Sequence, residues 1–388
     1  MSQPTRPVLF DTDIGSDVDD ALALALLLAA PEALALVAVT TVGRGGPVRA
    51  RVAASLLGLA GRAEVEVCVG EERPLLRPQH AFNWFDHEQR CVAQAPLARL
   101  SDEPAPERIA RAAREVPGLE LVAVGPLTNL ARALALDPEL PRRVAGLTIM
   151  GGHVREARIG AFVCPPGIDY NLCSDPEASV AVLGAGFRTT LVPADVTLQT
   201  WMVERDRERL AAGAPLAREL ARQIAVWTPV QRRIFTRMGG TLAADNVAFL
   251  HDPLSVLALV DAAPLRFEEL RIVTTLERGT LRTFEVSTGL GIGAPMRVAT
   301  SVDARAAGAS IVDRLLRACG GPGWTTIRSR TRRSTIRSAP TRACAPRAPC
   351  TTWRATTPGR SRSSRTSGTR APIPCTSRSP APCSSGWA

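Results

Sequence analysis

The sequence contains no lysine, a single tyrosine and four histidines among its 388 residues. Its nine cysteines include no Cys-X-X-Cys pair and are scattered, so neither a zinc knuckle nor a disulfide framework is predicted. The longest apolar run falls far short of the ~20 residues of a membrane span, and the first residues lack the apolar core of a signal peptide. These absences predict a soluble, cytoplasmic protein with no membrane partner.

The acidic and basic residues divide the chain into two parts. Residues 320–388 contain 13 of the 47 basic residues and none of the 37 acidic ones, so residues 1–319 carry a net charge of −3. A mildly acidic body has no basic surface for nucleic acid. The remainder lacks Leu, Val, Met, Phe and Tyr and cannot bury enough apolar surface to order itself. We predict a catalytic domain over residues 1–319 and a disordered Arg/Ser/Thr/Pro-rich tail over residues 320–388. Translation in a shifted frame and an arginine-rich nucleic-acid arm are two alternatives for that tail.

Apolar runs typical of buried strands alternate with helix-forming segments throughout the body. Pro7–Asp11 precedes the helical Val18–Ala30, and Leu34–Val42 precedes the helical Val48–Leu59. This alternation predicts the α/β class: a doubly wound, mostly parallel sheet with helices on both faces. Ligands of such sheets bind beyond the carboxyl ends of the strands, which is where we expect a metal site.

A cluster of five aspartates follows the first predicted strand, in the sequence Asp11-Thr-Asp-Ile-Gly-Ser-Asp-Val-Asp-Asp20. Because so many carboxylates repel one another, a hard cation with oxygen ligands is their natural partner. Helix capping by Asp17 or Asp19 explains one or two of them, but not Asp11 and Asp13 at the strand end. A Mg²⁺-dependent phosphatase with Asp11 as nucleophile is an alternative, although it leaves Asp19 and Asp20 without a role.

Three further motifs are predicted to lie near the same sheet edge. His251-Asp-Pro is typical either of a helix start or of a proton donor beside a metal. Asp169-Tyr-Asn171, in extended backbone, would point a carboxylate and an amide the same way to hold vicinal hydroxyls, whereas a polar loop satisfying its own backbone is equally compatible. Val124-Gly-Pro-Leu-Thr-Asn129 would offer a main-chain carbonyl to a cation. Ser174-Asp-Pro-Glu177, in contrast, is interpreted only as a helix cap.

Taken together, these motifs resemble the nucleoside hydrolase family of the inosine-uridine-preferring type, and the resemblance covers residues 8–319. It implies that a Ca²⁺-bound water hydrolyses the N-glycosidic bond of ribonucleosides, giving a free base and ribose for purine or pyrimidine salvage. The metal ligands that it implies are Asp11, Asp13, Asp20, Asp252 and the carbonyl of Val124. The substrate contacts that it implies are Asp19, Asp169, Asn171 and His87. Asp13 would also take a proton from the water, and His251 would face the leaving base as an acid or hydrogen-bond donor.

The chain also departs from the family pattern. Arg44 and Val163 occupy positions where the family usually has asparagines, and Ser16-Asp-Val18 replaces a single residue. These differences leave the nucleoside open and keep a third hypothesis in view, a catalytically inactive relative that binds nucleoside or metal. The family commonly forms dimers or tetramers, so a homo-oligomer is expected.

Overall fold

The structure is a computed structural model, and it describes residues 5–77, 87–159, 162–164, 166–167, 169–277 and 280–320. Contacts between Cα atoms divide the chain into one unit of Met1–Thr326 and another of Ile327–Ala388. Every described residue belongs to the first unit. Residues 321–388 of the tail predicted over residues 320–388 lie outside the described residues, and the boundary at residue 319 stays a prediction.

The part of the chain that the structure describes contains a ten-stranded sheet and two small antiparallel pairs, β7 with β8 and β10 with β11. The strands are β1 (Arg6–Thr12), β2 (Leu34–Thr41), β3 (Glu66–Val69), β4 (Leu100–Ser101), β5 (Glu120–Ala123), β6 (Gly146–Met150), β7 (Ala157–Ile159), β8 (Phe162–Cys164), β9 (Thr189–Val192), β10 (Trp201–Val203), β11 (Asn246–Phe249), β12 (Leu265–Glu277), β13 (Thr280–Val286) and β14 (Ala294–Val302).

The order of the large sheet, β13-β12-β14-β9-β6-β5-β1-β2-β3-β4, puts the first strand near its centre. All neighbouring pairs from β14 to β4 are parallel, whereas β12 pairs antiparallel with both β13 and β14. The chain leaves β1 toward β2 and later returns on the other side at β5. The gap beyond the carboxyl ends of β1 and β5 is therefore the switch point at which doubly wound sheets bind ligands.

Helices cover both faces of the sheet. They are α1 (Asp19–Leu28), α2 (Gly46–Leu59), α3 (Ala105–Glu115), α4 (Thr128–Leu136), α5 (Leu140–Arg143), α6 (Tyr170–Ser174), α7 (Pro176–Leu183), α8 (Ala194–Thr197), α9 (Glu204–Ala211), α10 (Pro215–Arg237), α11 (His251–Val260) and α12 (Ala304–Gly320). The side chains of β1 alternate between two cores, because Val8 and Phe10 pack on one face and Leu9 on the other.

Helix α1 shows why the sequence folds in this way next to the site. Its Ala and Leu residues are strong helix formers, and all ten of its residues are buried. It contacts α11 and α12, which explains why it is apolar all round rather than on one stripe. Pro31, shortly after its end, cannot continue the helix. The first turn of α1 consequently holds Asp19 and Asp20 rigidly beside the end of β1.

The predicted α/β class with a mostly parallel sheet is confirmed, and the elements lie close to their predicted places. Beyond the parallel part of the sheet, β12 and β13 form an antiparallel hairpin. Across the described ranges, we find no helix with both the length and the apolar character needed to cross a membrane.

Candidate active site

Asp11 lies inside β1 and is almost completely buried. Its Oδ1 accepts hydrogen bonds from Thr40 Oγ1 at 2.6 Å and from Asn129 Nδ2 at 2.7 Å. Its Oδ2 is buried without a hydrogen-bond partner among the residues that the structure describes. Burial raises the pKa of Asp11 to about 7, although the two hydrogen bonds act in the opposite direction.

Asp19, Asp20 and Asp252 come together at the start of two helices. One carboxylate oxygen from each lies within 4.8 Å of the others, and all three side chains are buried. The main-chain N–H of Asp252 donates to Asp19 Oδ2 at 3.2 Å, and the hydroxyl of Thr12 donates to Asp20 Oδ1. Burial, followed by the charges of neighbouring aspartates, raises the pKa of all three well above the usual value. The structure therefore joins residues 19–20 to residue 252 in one acidic group.

Asp13 does not belong to the group of Asp19, Asp20 and Asp252, but its carboxylate is close enough to affect their charges. Its charge raises the pKa of Asp19, Asp20 and Asp252. Burial raises the pKa of Asp13 itself, and the charge of Arg49 opposes that shift. Asp13 therefore lies at the side of the acidic group, at the carboxyl end of β1.

The buried side chain of Arg49 braces the loop that contains Asp13. Its guanidinium donates to the carbonyl of Asp13, to the carbonyl of Ile14 at 3.2 Å and to Ser16 Oγ at 2.8 Å. It also donates to the carbonyl of Arg44 at 3.0 Å. The guanidinium of Arg49, from α2, thus holds the loop between β1 and α1. In this loop Ser16-Asp-Val18 replaces a single residue of the family pattern.

Gly125 allows a second loop to approach Asp13 closely. A Cβ atom at this position would lie 2.9 Å from both the amide nitrogen and Oδ1 of Asp13. Real Cβ atoms do not approach so closely, so only glycine fits without a shift of the main chain. The main chain after β5 and the end of β1 therefore meet at the switch point.

The capping interpretations of the acidic residues are only partly confirmed. Helix α1 has Val18 as its N-cap, with no side-chain cap, although Asp17 Oδ1 accepts from the amide of Val18 at 2.5 Å. Helix α11 begins at His251, so Asp252 lies in its first turn and is not its cap. The cap predicted at Asp175 is confirmed, since its Oδ1 accepts from the amide of Ala178 at 3.2 Å.

The extended backbone predicted for residues 169–171 is wrong, because helix α6 begins at Tyr170. Asp169 is its N-cap and accepts from the amide of Leu172 at 2.9 Å. Asn171 Nδ2 donates to the carbonyls of Val124 at 2.8 Å and Met150 at 3.1 Å. The amide donor expected to reach a ribose hydroxyl is thus bonded to the main chain. The carbonyl of Val124, predicted as a metal ligand, accepts that amide and retains a second lone pair.

His251 lies at the first position of α11, directly before Asp252. Its Nδ1 lies 2.7 Å from Thr197 Oγ1, and its ring centroid lies 5.1 Å from that of Phe249. Burial lowers the pKa of His251 to about 4. The predicted proton donor is therefore next to the acidic group along the chain, in a partly apolar environment.

His87 and Arg44, which the sequence analysis also connected with the substrate, differ in their exposure to solvent: His87 is buried, whereas Arg44 is exposed. His87 is buried, with Nε2 2.9 Å from the carbonyl of Ser16 and its ring 5.6 Å from Trp227. Its contact with the Ser16 carbonyl supports the loop that contains Asp13. Arg44 is exposed and forms no ion pair within the described ranges. Residues 78–86, which directly precede His87, lie outside the described residues.

Sequence reasoning missed several residues that hold this site together. Arg49 could have been noticed as a charged residue on the otherwise apolar face of α2, together with Val52 and Leu56. Asn129 belongs to a motif that was recognised, but its bond to Asp11 was not predicted. No sequence signal pointed to Thr197.

The donor set fits a hard divalent cation. The oxygens of Asp19, Asp20 and Asp252 come together, and the charge of Asp13 raises the pKa of all three. In the described part of the chain, Arg49 is the only cation bonded to the loop of Asp13. Oxygen ligands of this kind suit Ca²⁺ or Mg²⁺. The arrangement can hold such an ion while leaving His251 at the edge of the group.

Comparison with known proteins gives one consistent picture. A sequence model described as inosine-uridine preferring nucleoside hydrolase matches residues 8–314. The chain is 31% identical over 279 residues to the pyrimidine-specific ribonucleoside hydrolase RihA of Citrobacter koseri, covering 70% of this chain and 82% of that protein. It is 29% identical over 328 residues to the probable uridine nucleosidase 2 of Arabidopsis thaliana, covering 80% of this chain and 98% of that protein.

Solved structures support the same assignment. A plant nucleoside hydrolase superposes with a TM-score of 0.68 at 25% identity, covering 81% of this chain and 99% of that one. The purine-preferring ribonucleoside hydrolase of Gardnerella vaginalis gives the same TM-score at 23% identity and shows the fold. The chain therefore belongs to the inosine-uridine preferring nucleoside hydrolase family and is an N-ribosyl hydrolase, an enzyme that splits ribonucleosides into base and ribose.

Proposed function

We propose that this nucleoside hydrolase works with one Ca²⁺ ion held by Asp13, Asp20 and Asp252, with Asp11 and the Val124 carbonyl beside it. Asp19 and Asp169 would accept hydrogen bonds from ribose hydroxyls, and Asn171 would contact the ribose through its oxygen. Asp13 would take a proton from the attacking water, and His251 would face the leaving base. His87 would contribute to substrate binding.

One observation carries this proposal: the carboxylates of Asp20 and Asp252 share an oxygen cluster with a diameter under 4.8 Å although 232 positions separate them in the chain. Burying like charges so close together is costly unless a cation compensates them. The buried carboxylates lie at the carboxyl ends of the strands, where doubly wound sheets bind ligands. A structural ion pair would not need so many acids, since one arginine neutralises only one of them.

The chain's own residues account for both halves of the reaction. The water gives its hydroxide to C1′ and a proton to Asp13, while the base leaves with the electron pair of the C1′–N bond. Positive charge develops on the ribose ring, and the buried carboxylates stabilise it. A bound Ca²⁺ would lower the pKa of a coordinated water and fix the ribose hydroxyls. A hydrogen bond or proton from His251 would stabilise the negative charge that develops on the base.

Release of reducing sugar from uridine and inosine tests the proposal. These two substrates sample both base classes, and the names of the pyrimidine-specific and uridine-cleaving relatives favour uridine. We expect chelator-treated wild type to lose activity and added Ca²⁺ to restore it. Asp252→Asn should lower kcat/KM at saturating Ca²⁺ by at least ~100-fold, because it removes a charge from the acidic group.

A control and two alternatives complete this experiment. Asp245→Asn removes an exposed acid and should leave activity unchanged. Calcium binding without cleavage of either nucleoside would instead favour the inactive relative. The phosphatase alternative is wrong: the family is that of N-ribosyl hydrolases, and Asp11 is enclosed by hydrogen bonds from Thr40 and Asn129 rather than exposed as a nucleophile.

The assembly and location of the protein remain predictions from the sequence. We propose a homo-oligomer in the cytoplasm, where the enzyme would serve nucleoside salvage. Light scattering of the purified chain distinguishes a monomer from a dimer or tetramer.

A further inference from the structure

A hydrogen bond joins His251 to a threonine from a distant part of the chain. Thr197 is the last residue of α8, and its side chain is completely buried. Its Oγ1 lies 2.7 Å from Nδ1 of His251, across 54 positions of sequence. Neither the reaction chemistry nor the acidic group requires this contact.

The position of the hydroxyl proton follows from two distances. Thr197 Oγ1 has one proton and, among the residues that the structure describes, two hydrogen-bonding neighbours: His251 Nδ1 at 2.7 Å and the carbonyl of Ala194 at 3.4 Å. Hydrogen bonds from hydroxyl groups are usually between 2.5 and 3.0 Å, so the carbonyl is too far away for a good bond. The shorter distance favours a proton that points to Nδ1, which then acts as the acceptor.

An accepting Nδ1 determines the state of the other ring nitrogen. In a neutral imidazole one nitrogen carries the proton and the other accepts, so the ring proton lies on Nε2. The ring cannot easily turn over, because it packs against Phe249 with 5.1 Å between ring centroids. Nε2–H is then the group that His251 offers on the side away from Thr197.

We propose that Thr197 is a positioning residue that fixes the Nε2–H tautomer and the orientation of His251, so that Nε2–H donates a hydrogen bond to the leaving base. This inference rests on the proposed function and narrows the role of His251 to that of a donor to the leaving group. No proton needs to leave the ring: the hydrogen bond stabilises the electron pair that the base takes from the C1′–N bond.

Two substrates with different leaving groups test this role. Uridine leaves as a poor, nitrogen-linked base that needs a donor, whereas 4-nitrophenyl β-D-ribofuranoside leaves as a stabilised phenolate that does not. Thr197→Val removes the hydroxyl and keeps the shape, and Thr197→Ser keeps the hydroxyl. We expect Thr197→Val to lower kcat/KM for uridine by at least ~10-fold more than for the nitrophenyl riboside, and Thr197→Ser to recover most of the loss.

The outcomes separate this inference from the proposed function. Equal losses on both substrates, or no loss on uridine, would overturn the role of Thr197. Wild type that cleaves neither substrate would overturn the proposed function and the inference with it.

Nitrogen-15 NMR of the histidine rings tests the tautomer directly in the wild-type protein. The chain has only four histidines, and the signal that disappears in His251→Gln identifies the ring. We expect wild-type His251 to have a protonated Nε2 and an unprotonated Nδ1. The reverse tautomer would overturn the proposal.

Discussion

Asp11 should make the metal-free enzyme less stable as the pH rises. Its side chain is buried, and desolvation raises its pKa from 3.8 to about 7. The fold therefore favours the protonated, neutral form of Asp11. The corresponding stabilisation is fully present below about pH 4 and is lost as the pH rises to about 7 and above.

The size of the effect follows from the shift. Each unit of pKa difference between the folded and unfolded states corresponds to about 1.4 kcal/mol, so the shift of Asp11 gives an upper limit of about 4 kcal/mol. Asp11→Asn removes the ionisable group and keeps an oxygen for the bonds from Thr40 and Asn129. The free energy of unfolding of this variant, minus that of wild type, should thus increase by up to about 4 kcal/mol between pH 4 and pH 8.

Urea denaturation of both proteins at intervals from pH 4 to pH 8, with chelator present, measures this difference. Subtraction removes the contributions of surface ion pairs, which both proteins share. Asp245→Asn, with its exposed carboxylate, should show no such trend. A difference that is constant with pH, or that decreases as the pH rises, would refute the reasoning about Asp11.

Two further predictions concern the supports of the Asp13 loop. Gly125→Ala should destabilise the protein by about 1–3 kcal/mol and reduce ribose release, because its Cβ would lie 2.9 Å from Asp13. Gly308→Ala, where a Cβ meets no atom closer than 4.0 Å, is the control, and equal thermal stability of the two variants would contradict the steric argument. Arg49→Met should cost about 3 kcal/mol in urea denaturation, because hydrogen bonds from a charged group to buried oxygens are lost, whereas Arg51→Met changes only an exposed residue of the same helix. Equal stability of these two variants would show that Arg49 does not brace the loop.

Much of the fold was predictable because it depends on local patterns. The predicted strands Pro7–Asp11 and Leu34–Val42 are β1 and β2, and the predicted helix Val18–Ala30 is α1. Alternation of strands and helices leaves few topologies other than a doubly wound sheet. The position of the acidic group was predictable too, because ligands of doubly wound sheets bind beyond the carboxyl ends of the strands at the switch point, and β1 lies there.

The candidate site was only partly predictable, because its details depend on contacts between distant segments. Asn129 reaches Asp11 across 118 positions, and Thr197 reaches His251 across 54. Neither contact produces a periodic pattern in the amino-acid sequence from which it could be predicted. The error at Asp169 has a local cause: its carboxylate caps α6, so the backbone turns into a helix where an extended segment was expected.

Calcium binding by the wild-type chain tests the central claim most directly. After treatment with chelator, calorimetric titration with Ca²⁺ should show one ion per chain, and ribose release from uridine should recover along the same titration. Asp20→Asn and Asp252→Asn should each weaken this binding, because residues distant from each other in the chain contribute to one site. Full activity without a divalent ion, or calcium binding that is unchanged in both variants, would contradict the account.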